Sequence, residues 1–534
     1  MKRLRAHCLA VAAVVGAALL LAAGTSPVSG LTGSDNAADP PVSCDGSVGT
    51  DDPMPSPVAH TDMAGMAGMH DSPAPRSMQE LRDKLARTPS GGTLKVKGVY
   101  RGALVIDRPV TLVGIGHAVL RGDGTGTVLT IRAAGTTVRD LMVEGSGPGP
   151  VDNPAGVSVQ ADHVVVEGMH IRNTYTGVWV EGVSDAQILG NVIEGRKSVA
   201  VSGESPGMEG DMAEMSMDSG HGEAKAGRGD GVSLFNATRP VVYGNTISDA
   251  RDGVYLEYGS GTRVECNNVV GGRYAVHSMY GKDVTLAGNH FTRNQSGPVM
   301  MYGGPLRLVR NVIRDEQSAA TGFGVLLLDV RGVRLFRNVI VGNRVGLQIE
   351  GPMDEPRPAV VELNTIALNQ VGVGLYPTAN ACLSQNSIVE NTVQVLGLGP
   401  DGGGGKSSWS RDGIGNYWSN YRGYERSDSG VGEIPHVEGA AAGRLLASDP
   451  SLLALASSPA FTLLRAVEQR TAGQDPVAID RFPIVDHRSP SLRSADVRSA
   501  LGAGLVGTTC LVVCSLVVLR LAVRRRSHQR RTGP

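Results

Sequence analysis

A repeat of 22 residues constrains the fold of this chain more than any other feature of its sequence. The repeated unit is an apolar residue, two others, Asn, one other and a second apolar residue. Self-similarity at a fixed period of this length is typical of solenoid proteins. The asparagines of the unit are Asn191, Asn245, Asn267, Asn289, Asn311, Asn338, Asn364 and Asn386. A Gly followed by alternating apolar residues precedes six of them by fourteen positions, at Gly177, Gly231, Gly253, Gly297, Gly324 and Gly372.

Each repeat is typical of short strands that alternate in polarity and are joined by turns of Gly and Asn, which tolerate positive φ. No helical segment separates the strands, so an alternating βαβ architecture is excluded. A single strand cannot bury its inward face, but coils stacked ~4.8 Å apart bury a continuous core. Identical asparagines at one corner of successive coils can form an amide ladder. We therefore predict an all-β fold, a right-handed parallel β-helix with 22-residue coils over residues 92–400.

The two ends of the chain are typical of targeting and anchoring segments. Lys2, Arg3 and Arg5 precede an uncharged stretch and a run of small residues, which indicates a secretory signal peptide over residues 1–30. Residues 500–519 carry no charge, and a basic tail follows them. Twenty apolar residues span ~30 Å as a helix, and basic residues stay on the cytoplasmic side. We predict one transmembrane helix at 500–523, a cytoplasmic tail at 524–534 and an extracytoplasmic body.

The net charge of −1 hides an acidic body. Without the nine basic residues at the two ends, 41 basic residues remain against 51 acidic ones, so the exported part is near −10. A nucleic-acid-binding protein is normally basic, and that class is excluded. Of six cysteines, Cys44, Cys266 and Cys382 lie in the exported part. Their odd number and wide spacing predict neither a disulfide framework nor a zinc site.

Two segments rich in Met and His lie outside the repeats. One belongs to a flexible segment and linker predicted over residues 31–91. The other lies in an insertion at 203–229, because Asn191 and Asn245 are 54 residues apart where one coil needs 22. Thioether is a soft ligand suited to Cu(I), and imidazole also binds copper. We predict copper, as Cu(I), bound by His60, Met63, Met66, Met69, His70, Met208, Met212, Met215, Met217 and His221. A disordered spacer and a Met-rich surface for protein contact are the alternatives.

The 22-residue period also predicts neighbours on the outer wall of the solenoid. It stacks Tyr258, Tyr280 and Tyr302 in one column, and Met279 and Met301 in the next. Glu257 lies one coil before Met279, and His277 shares the outward side with Met279. We predict that His277, Met279, Tyr280, Met301 and Tyr302 form a surface for a partner protein. Packing under a loop and a transient copper position are the alternatives.

Two further features have a catalytic or sugar-binding interpretation. Asp230 and Asp252 lie one coil apart, and paired carboxylates at such separations cleave polysaccharides. However, Asp-Gly is a common turn pair, and we expect neither His nor Lys to complete a catalytic set around them. The aromatic cluster comprises Trp409, Tyr417, Trp418, Tyr421 and Tyr424. Because a solenoid needs a cap on its open end, we assign this cluster and a following helix at 461–469 to a cap region at 401–490. A sugar-stacking platform is the alternative.

Several motifs carry a family resemblance. They are Gly-Arg-Tyr-Ala-Val-His-Ser-Met-Tyr at 272–280, Val-Met-Met-Tyr at 299–302 and Gly-Asn-Tyr-Trp-Ser-Asn-Tyr at 415–421. Together with the opening at 98–109 and the tail at 458–469, they resemble the NosD family over roughly residues 77–488. That family comprises β-helical accessory proteins of nitrous oxide reductase maturation. The resemblance implies an exported protein that works with an ABC-type ATPase and permease to assemble a copper site, through partner contact and not catalysis.

The expected function is therefore that of a membrane-anchored protein that binds copper and assists assembly of a copper enzyme, without being an enzyme itself. The two Met-rich segments and the anchor depart from the family pattern, which favours copper as the cargo and leaves the client enzyme open. The alternative is a cell-surface polysaccharide-binding or polysaccharide-processing β-helix with Asp230 and Asp252 at its centre.

Overall fold

The computed structural model describes residues 76–149, 153–196, 228–318, 321–351, 357–398, 404–426, 429–439 and 476–486, with a few residues between 445 and 467. In these ranges the chain is a parallel β-solenoid, as the repeat predicts. Each coil adds one strand to each of three parallel sheets that run the length of the solenoid. No helix in the described ranges is long and apolar enough to cross a bilayer. The segments predicted as signal peptide, transmembrane helix and tail lie outside the described residues.

Sheet 1 contains fourteen strands, and each corner asparagine directly precedes one of them. Its strands are Arg76–Ser77, Val99–Arg101, Val119–Arg121, Met142–Glu144, His170–Thr174, Val192–Gly195, Thr246–Ser248, Asn268–Val270, His290–Thr292, Val312–Arg314, Val339–Val341, Thr365–Ala367, Ser387–Val389 and Tyr417–Trp418.

Sheet 2 contains twelve strands, several of them six residues long. They are Leu104–Ile106, Leu129–Ile131, Ala155–Val159, Thr176–Glu181, Val232–Phe235, Asp252–Glu257, Tyr274–Met279, Ser296–Met301, Phe323–Leu328, Val345–Glu350, Val371–Leu375 and Val393–Gly397.

Sheet 3 also contains twelve strands. They are Thr93–Val96, Thr111–Gly114, Thr137–Arg139, Val165–Glu167, Gln187–Leu189, Val241–Tyr243, Arg263–Glu265, Val284–Ala287, Leu306–Val309, Val333–Phe336, Ala359–Glu362 and Ala381–Ser384. A separate antiparallel pair, His436–Gly439 with Pro476–Asp480, follows the last coil.

The core is a continuous column of Val, Leu and Ile along the inside of the three sheets. In sheet 2, for example, Val254 lies opposite Val276, and both are fully buried. Alternate residues of a strand point to opposite faces, so one stripe of each strand fills the interior and the other forms the outer wall. The outer wall of sheet 2 is the part of the solenoid that carries the candidate site.

The predicted amide ladder is present. From Asn191 to Asn416, nine buried asparagines follow one another, and the Nδ2 of each donates to the Oδ1 of the next at 2.8–3.0 Å. Each intermediate asparagine also accepts from the backbone N–H of the one before it. Buried amides whose donors and acceptors are all paired lock the register of the coils.

The register also places the predicted insertion. Val178 pairs directly with Val232, and Val192 pairs directly with Thr246, so the coils on either side of the long gap are neighbours. The extra residues therefore leave the solenoid after Gly195 and rejoin it before Val232, at the corner between sheets 1 and 2.

Residues assigned to the flexible linker include a helix, α1, at Met78–Arg87. Ser77 caps it by accepting a hydrogen bond from the backbone N–H of Gln79 at 3.2 Å. Its apolar face, Met78, Leu81 and Leu85, is buried in the main core. The helix therefore covers the first coil, and the prediction of a linker up to residue 91 is wrong at this point. The sequence signal is the capping pattern of Ser77 followed three residues later by Glu80.

At the other end, the aromatic cluster and the following helical residues have different roles. Trp409 and Trp418 are buried in the main core, with ring centroids 5.3 Å apart, and Trp418 pairs with Ile388 of the last coil. Phe461 instead packs on an apolar cluster that includes Val299 on the outer face of sheet 2. The helical part of the predicted cap thus covers a lateral wall and not the open end. The buried tryptophans are not available to stack on a sugar.

One expectation about cysteine is also wrong. Cys266 takes part in a disulfide bond, whereas Cys382 is a buried free thiol. Spacing could not show this, because a disulfide joins residues that the fold brings together and not residues close in sequence.

Candidate functional site: the wall of sheet 2

A column of stacked tyrosines runs along the outer edge of sheet 2. Tyr258, Tyr280 and Tyr302 each follow directly after a strand, and each has a φ of 54–57°. The rings of Tyr258 and Tyr280 are 5.1 Å apart and nearly parallel, and those of Tyr280 and Tyr302 are 5.5 Å apart. A left-handed conformation is uncommon for a bulky residue. Its repetition in three coils holds the three rings in the same orientation, and we call them the tyrosine column.

The aromatic surface continues beyond this column. Phe235 meets Tyr258 edge to face at 6.2 Å, and Trp179 lies 6.5 Å from Phe235. Tyr258 and Tyr280 are 53% and 40% exposed, although aromatic side chains of this size are usually more buried. The solenoid therefore presents a long, solvent-facing aromatic strip along its axis.

Beside the tyrosine column lies a second column, of Glu257, Met279 and Met301. The three residues are in register on adjacent strands. Tyr255 donates its hydroxyl to Glu257 Oε2 at 2.9 Å and lies 3.9 Å from Met279 Sδ. Both methionines are half-buried. The predicted neighbours are thus together on one wall.

Next to the methionines is a buried cluster of ion pairs. Arg251 donates two hydrogen bonds to Asp230 at 3.0 and 3.1 Å, and Arg273 donates two to Asp252 at 2.9 and 2.8 Å. The two carboxylate side chains are 5% and 0% exposed. Bidentate Arg–carboxylate pairs fix both partners in one geometry. Both aspartates are therefore held as structural groups and are closed to solvent.

His277 completes this cluster, so the expectation that no His lies at these aspartates is wrong. Its Nδ1 is 3.1 Å from Asp252 Oδ2, and its ring lies between Tyr255 and Tyr274 at centroid distances of 5.2 and 5.1 Å. An ionised carboxylate only accepts hydrogen bonds, so Nδ1 carries the proton of this bond. In the neutral imidazole the lone pair then lies on Nε2.

Burial and neighbouring charges act in opposite directions on the two aspartates. Burial raises the pKa of Asp252, but the Arg273 charge and the bonds from His277 and Arg273 outweigh it, and the net pKa lies far below the usual range. Burial also raises the pKa of Asp230, and the nearby Asp252 charge adds to this effect against the opposing Arg251. Burial, followed by the Glu257 charge, raises the pKa of Tyr255 and keeps its hydroxyl protonated.

The predicted copper ligands are not among the described residues. His60, Met63, Met66, Met69 and His70 precede residue 76, and Met208, Met212, Met215, Met217 and His221 lie in the gap from 197 to 227. Where the structure does describe the chain, no group of three or more His, Cys, Asp or Glu is placed to hold a metal ion.

The sequence contains a signal for the ion-pair cluster. The Asp and Arg of each pair are 21 residues apart, one less than a coil, and the spacing occurs twice in succession. His277 follows Asp252 by 25 residues, a coil plus three. A search for opposite charges at one coil plus or minus a few residues would have found all three contacts.

The fold and this wall define a class: a parallel β-solenoid with an elongated lateral surface of aromatic and thioether groups. Comparison with known proteins then places the chain within that class. The model of the NosD family, described as periplasmic copper-binding protein, matches residues 212–423. The chain belongs to the NosD family.

Two curated relatives cover most of the chain. The probable ABC transporter binding protein NosD of Pseudomonas aeruginosa is 33% identical over 411 residues, which are 74% of this chain and 86% of the relative. The protein of the same description from Stutzerimonas stutzeri is 32% identical over 70% of this chain and 81% of the relative. Among solved structures, the A-module of the Azotobacter vinelandii mannuronan C-5 epimerase AlgE6 matches with a TM-score of 0.44 and 13% identity, covering 61% of this chain and 92% of the module. A likeness this weak supports no functional comparison.

Proposed function

We propose that this protein is an extracytoplasmic copper-handling accessory protein, anchored by residues 500–523, that assists the assembly of a copper enzyme. Copper is its cargo. The ligands are the Met/His arms, defined as His60, Met63, Met66, Met69 and His70 in the first arm and Met208, Met212, Met215, Met217 and His221 in the second. Membership of a family described as copper-binding supports the cargo. The soft thioether and imidazole donors of the arms support Cu(I).

One observation carries the proposal: the second arm joins the solenoid beside the wall of sheet 2. The chain returns from the insertion at Asp230, whose carboxylate pairs with Arg251 of the same buried cluster that orients His277. Coils are ~4.8 Å apart, so the coil of Asp230 and the coil of His277 are separated by ~10 Å along the axis. The insertion that contains the second arm, between Gly195 and Val232, is long enough to cover that distance.

We assign the tyrosine column and the methionines beside it to partner docking. Tyr and Met are enriched at protein interfaces, and rigid aromatic rings contribute large contact areas at low entropic cost. The names of the curated relatives support an ABC-type complex as the partner. Tyr280 lies at the middle of the column and is 40% exposed, which makes it the best single position to test.

The second candidate, a polysaccharide-processing protein, has less support from the wall. Catalysis on sugars requires a pair of carboxyl groups that reach the glycosidic bond. Asp230 and Asp252 are buried and held by arginines. The exposed aromatic strip is compatible with sugar binding, so the second candidate is limited to binding and does not extend to cleavage.

The test is a Cu(I) titration of the purified full-length chain against a competing chelator. In the arm variant, the seven arm methionines become Leu and the three arm histidines become Gln. Leu retains apolar contact but lacks the thioether, so it separates copper binding from protein contact. We expect the arm variant to lose most of its Cu(I) capacity. A matched control changes three exposed solenoid histidines, His117, His163 and His290, to Gln and should retain it.

Equal Cu(I) binding by the native chain and the arm variant would overturn the assignment of the arms. If the native chain does not compete with the chelator at all, copper handling itself is wrong. Depolymerisation of a polysaccharide that is lost in Asp252→Asn would favour the second candidate.

A further inference from the structure

Three side chains with copper-type donor atoms share the outer face of two adjacent strands of sheet 2. His277 and Met279 are two residues apart on one strand, and therefore on the same face. Met301 is paired with Met279 on the adjacent strand, ~4.8 Å away. One imidazole and two thioethers are a soft set that suits Cu(I).

The orientation of His277 is what distinguishes this place from a chance grouping. Histidines that bind a metal almost always donate their other ring N–H to a carboxylate or carbonyl, which fixes the tautomer and the ring plane. Asp252 has this role here: it is fully buried, its orientation is fixed by Arg273, and it accepts from Nδ1 at 3.1 Å. Among the described residues none hydrogen-bonds to His277 Nε2. The His277 side chain is 11% exposed, so its orientation is fixed while solvent still reaches part of the ring.

The residues around these three side chains also favour the binding of a cation. The Tyr255 hydroxyl donates a hydrogen bond to Glu257 Oε2 at 2.9 Å and lies 3.9 Å from Met279 Sδ. Tyr255 also packs against the His277 ring, with ring centroids 5.2 Å apart, so it contacts both the imidazole and Met279. Glu257 adds one negative charge to the wall in register with the methionines.

We propose that His277 Nε2, Met279 Sδ and Met301 Sδ form a Cu(I)-binding station on the wall, which receives copper from the Met/His arms and exposes it to the partner that docks on the tyrosine column. This inference rests on the proposed function, because it takes copper as the cargo. The arms capture copper, and the station, held by the rigid solenoid, presents it at a fixed point. Asp252 is a positioning residue that acts through His277.

The experiment uses the arm variant, which leaves the station as the site to be measured. We expect the arm variant to bind about one residual Cu(I), with a first coordination shell of one nitrogen and two sulfurs by X-ray absorption. In that background, Met279→Leu with Met301→Leu removes the sulfur shell, and His277→Gln removes the nitrogen. Both changes should lower the Cu(I) affinity at least ~10-fold. Asp252→Asn keeps every donor and should lower it ~10- to 100-fold, as for other partners of metal-binding histidines.

His290→Gln, at an exposed histidine in the first sheet 1 strand after His277, is the matched control and should leave the residual site unchanged. Met279→Leu with Met301→Leu is a volume-conserving change, so its near-ultraviolet circular dichroism should remain native even if Asp252→Asn unfolds. If the arm variant binds no Cu(I) while the native chain does, the proposal of the wall station is wrong, and the proposed copper-handling function is still supported. The station is also wrong if residual copper is indifferent to the His277 and Met279/Met301 changes. If the native chain binds no Cu(I), the proposed function fails and the station fails with it.

Discussion

Glu316 is a carboxyl group within a second ladder of buried amides, where neighbouring coils carry Asn. Asn294 Nδ2 donates to Glu316 Oε1 at 3.1 Å, and the Glu316 backbone N–H donates to Asn343 Oδ1 at 3.0 Å. The residue is fully buried, and Glu316 Oε2 makes no hydrogen bond within the described residues. Burial raises the pKa of Glu316 to about 8, with the Asn294 bonds opposing and the Asp315 charge adding. We predict that Glu316→Gln makes the protein more stable at neutral and alkaline pH.

The magnitude follows from the difference between the folded and unfolded pKa values. Unfolded Glu titrates near 4.5, so the contribution of Glu316 to stability is fully present below about pH 4.5 and is lost as the pH rises to about 8. One pKa unit corresponds to ~1.4 kcal/mol, so the full loss is on the order of 5 kcal/mol, and at pH 7 it is about 3 kcal/mol. Gln does not titrate, and its amide supplies the N–H donor that the asparagines of the ladder supply.

The assay is urea unfolding of the purified full-length chain at pH 4.5 and pH 8, followed by circular dichroism. We expect Glu316→Gln and the native chain to have similar urea midpoints at pH 4.5. At pH 8 we expect the midpoint of the variant to be higher. Glu390→Gln, at an exposed carboxylate, is the matched control for the loss of one acidic group, and a difference of the same size there would assign the effect to net charge and not to burial. Asn369→Asp places a second carboxyl in the same ladder and should create a new loss of stability with rising pH. An equal effect of Glu316→Gln at both pH values would refute the reasoning.

Three further changes test the ladder, the ion pairs and the tyrosine column. Asn289→Ala removes four hydrogen bonds and leaves buried donors unpaired, so we expect a loss of about 3–5 kcal/mol in the free energy of unfolding; a loss below about 1 kcal/mol would contradict the ladder. Asp252→Asn removes the buried carboxylate that accepts two hydrogen bonds from Arg273 and should cost about 3–5 kcal/mol in urea unfolding, and adding Arg273→Met should recover part of that loss. Tyr280→Ala breaks two ring stacks and should cost about 1–2 kcal/mol in thermal unfolding, whereas Tyr280→Phe should be near neutral. An equal cost for Phe and Ala would assign the stability to the hydroxyl instead.

The coil architecture could be predicted because each coil repeats the same residues for the same physical reason. Asn267 and Asn289 lie 22 residues apart in the sequence and one hydrogen bond apart in the ladder. Once the period is known, it places Tyr258 against Tyr280 and Met279 against Met301 without further information. The columns of the wall were predictable for this reason.

Other features depend on contacts that do not follow the period. The second ladder contains Glu316 and Gln394 beside its asparagines, so no single residue type marks it. The bond between His277 and Asp252 joins neighbouring coils, but the register partner of Asp252 is Tyr274, three residues before His277. The 22-residue period therefore does not place these two residues side by side. Phe461 packs on the lateral wall through contacts with residues far away in the sequence, and the 22-residue period does not encode those contacts.

The insertion between Gly195 and Val232 has a consequence for how such proteins change over time. The coils on either side of it pair in full register, so the solenoid folds as though those residues were absent. The entropic cost of a loop grows only slowly with its length. The corner between sheets 1 and 2 is therefore a neutral attachment point, where a ligand-bearing segment can be lengthened, exchanged or removed while the scaffold and its wall stay intact. Under the proposed function, exchange of this segment would change the ligands that the protein offers to its cargo, with no redesign of the core.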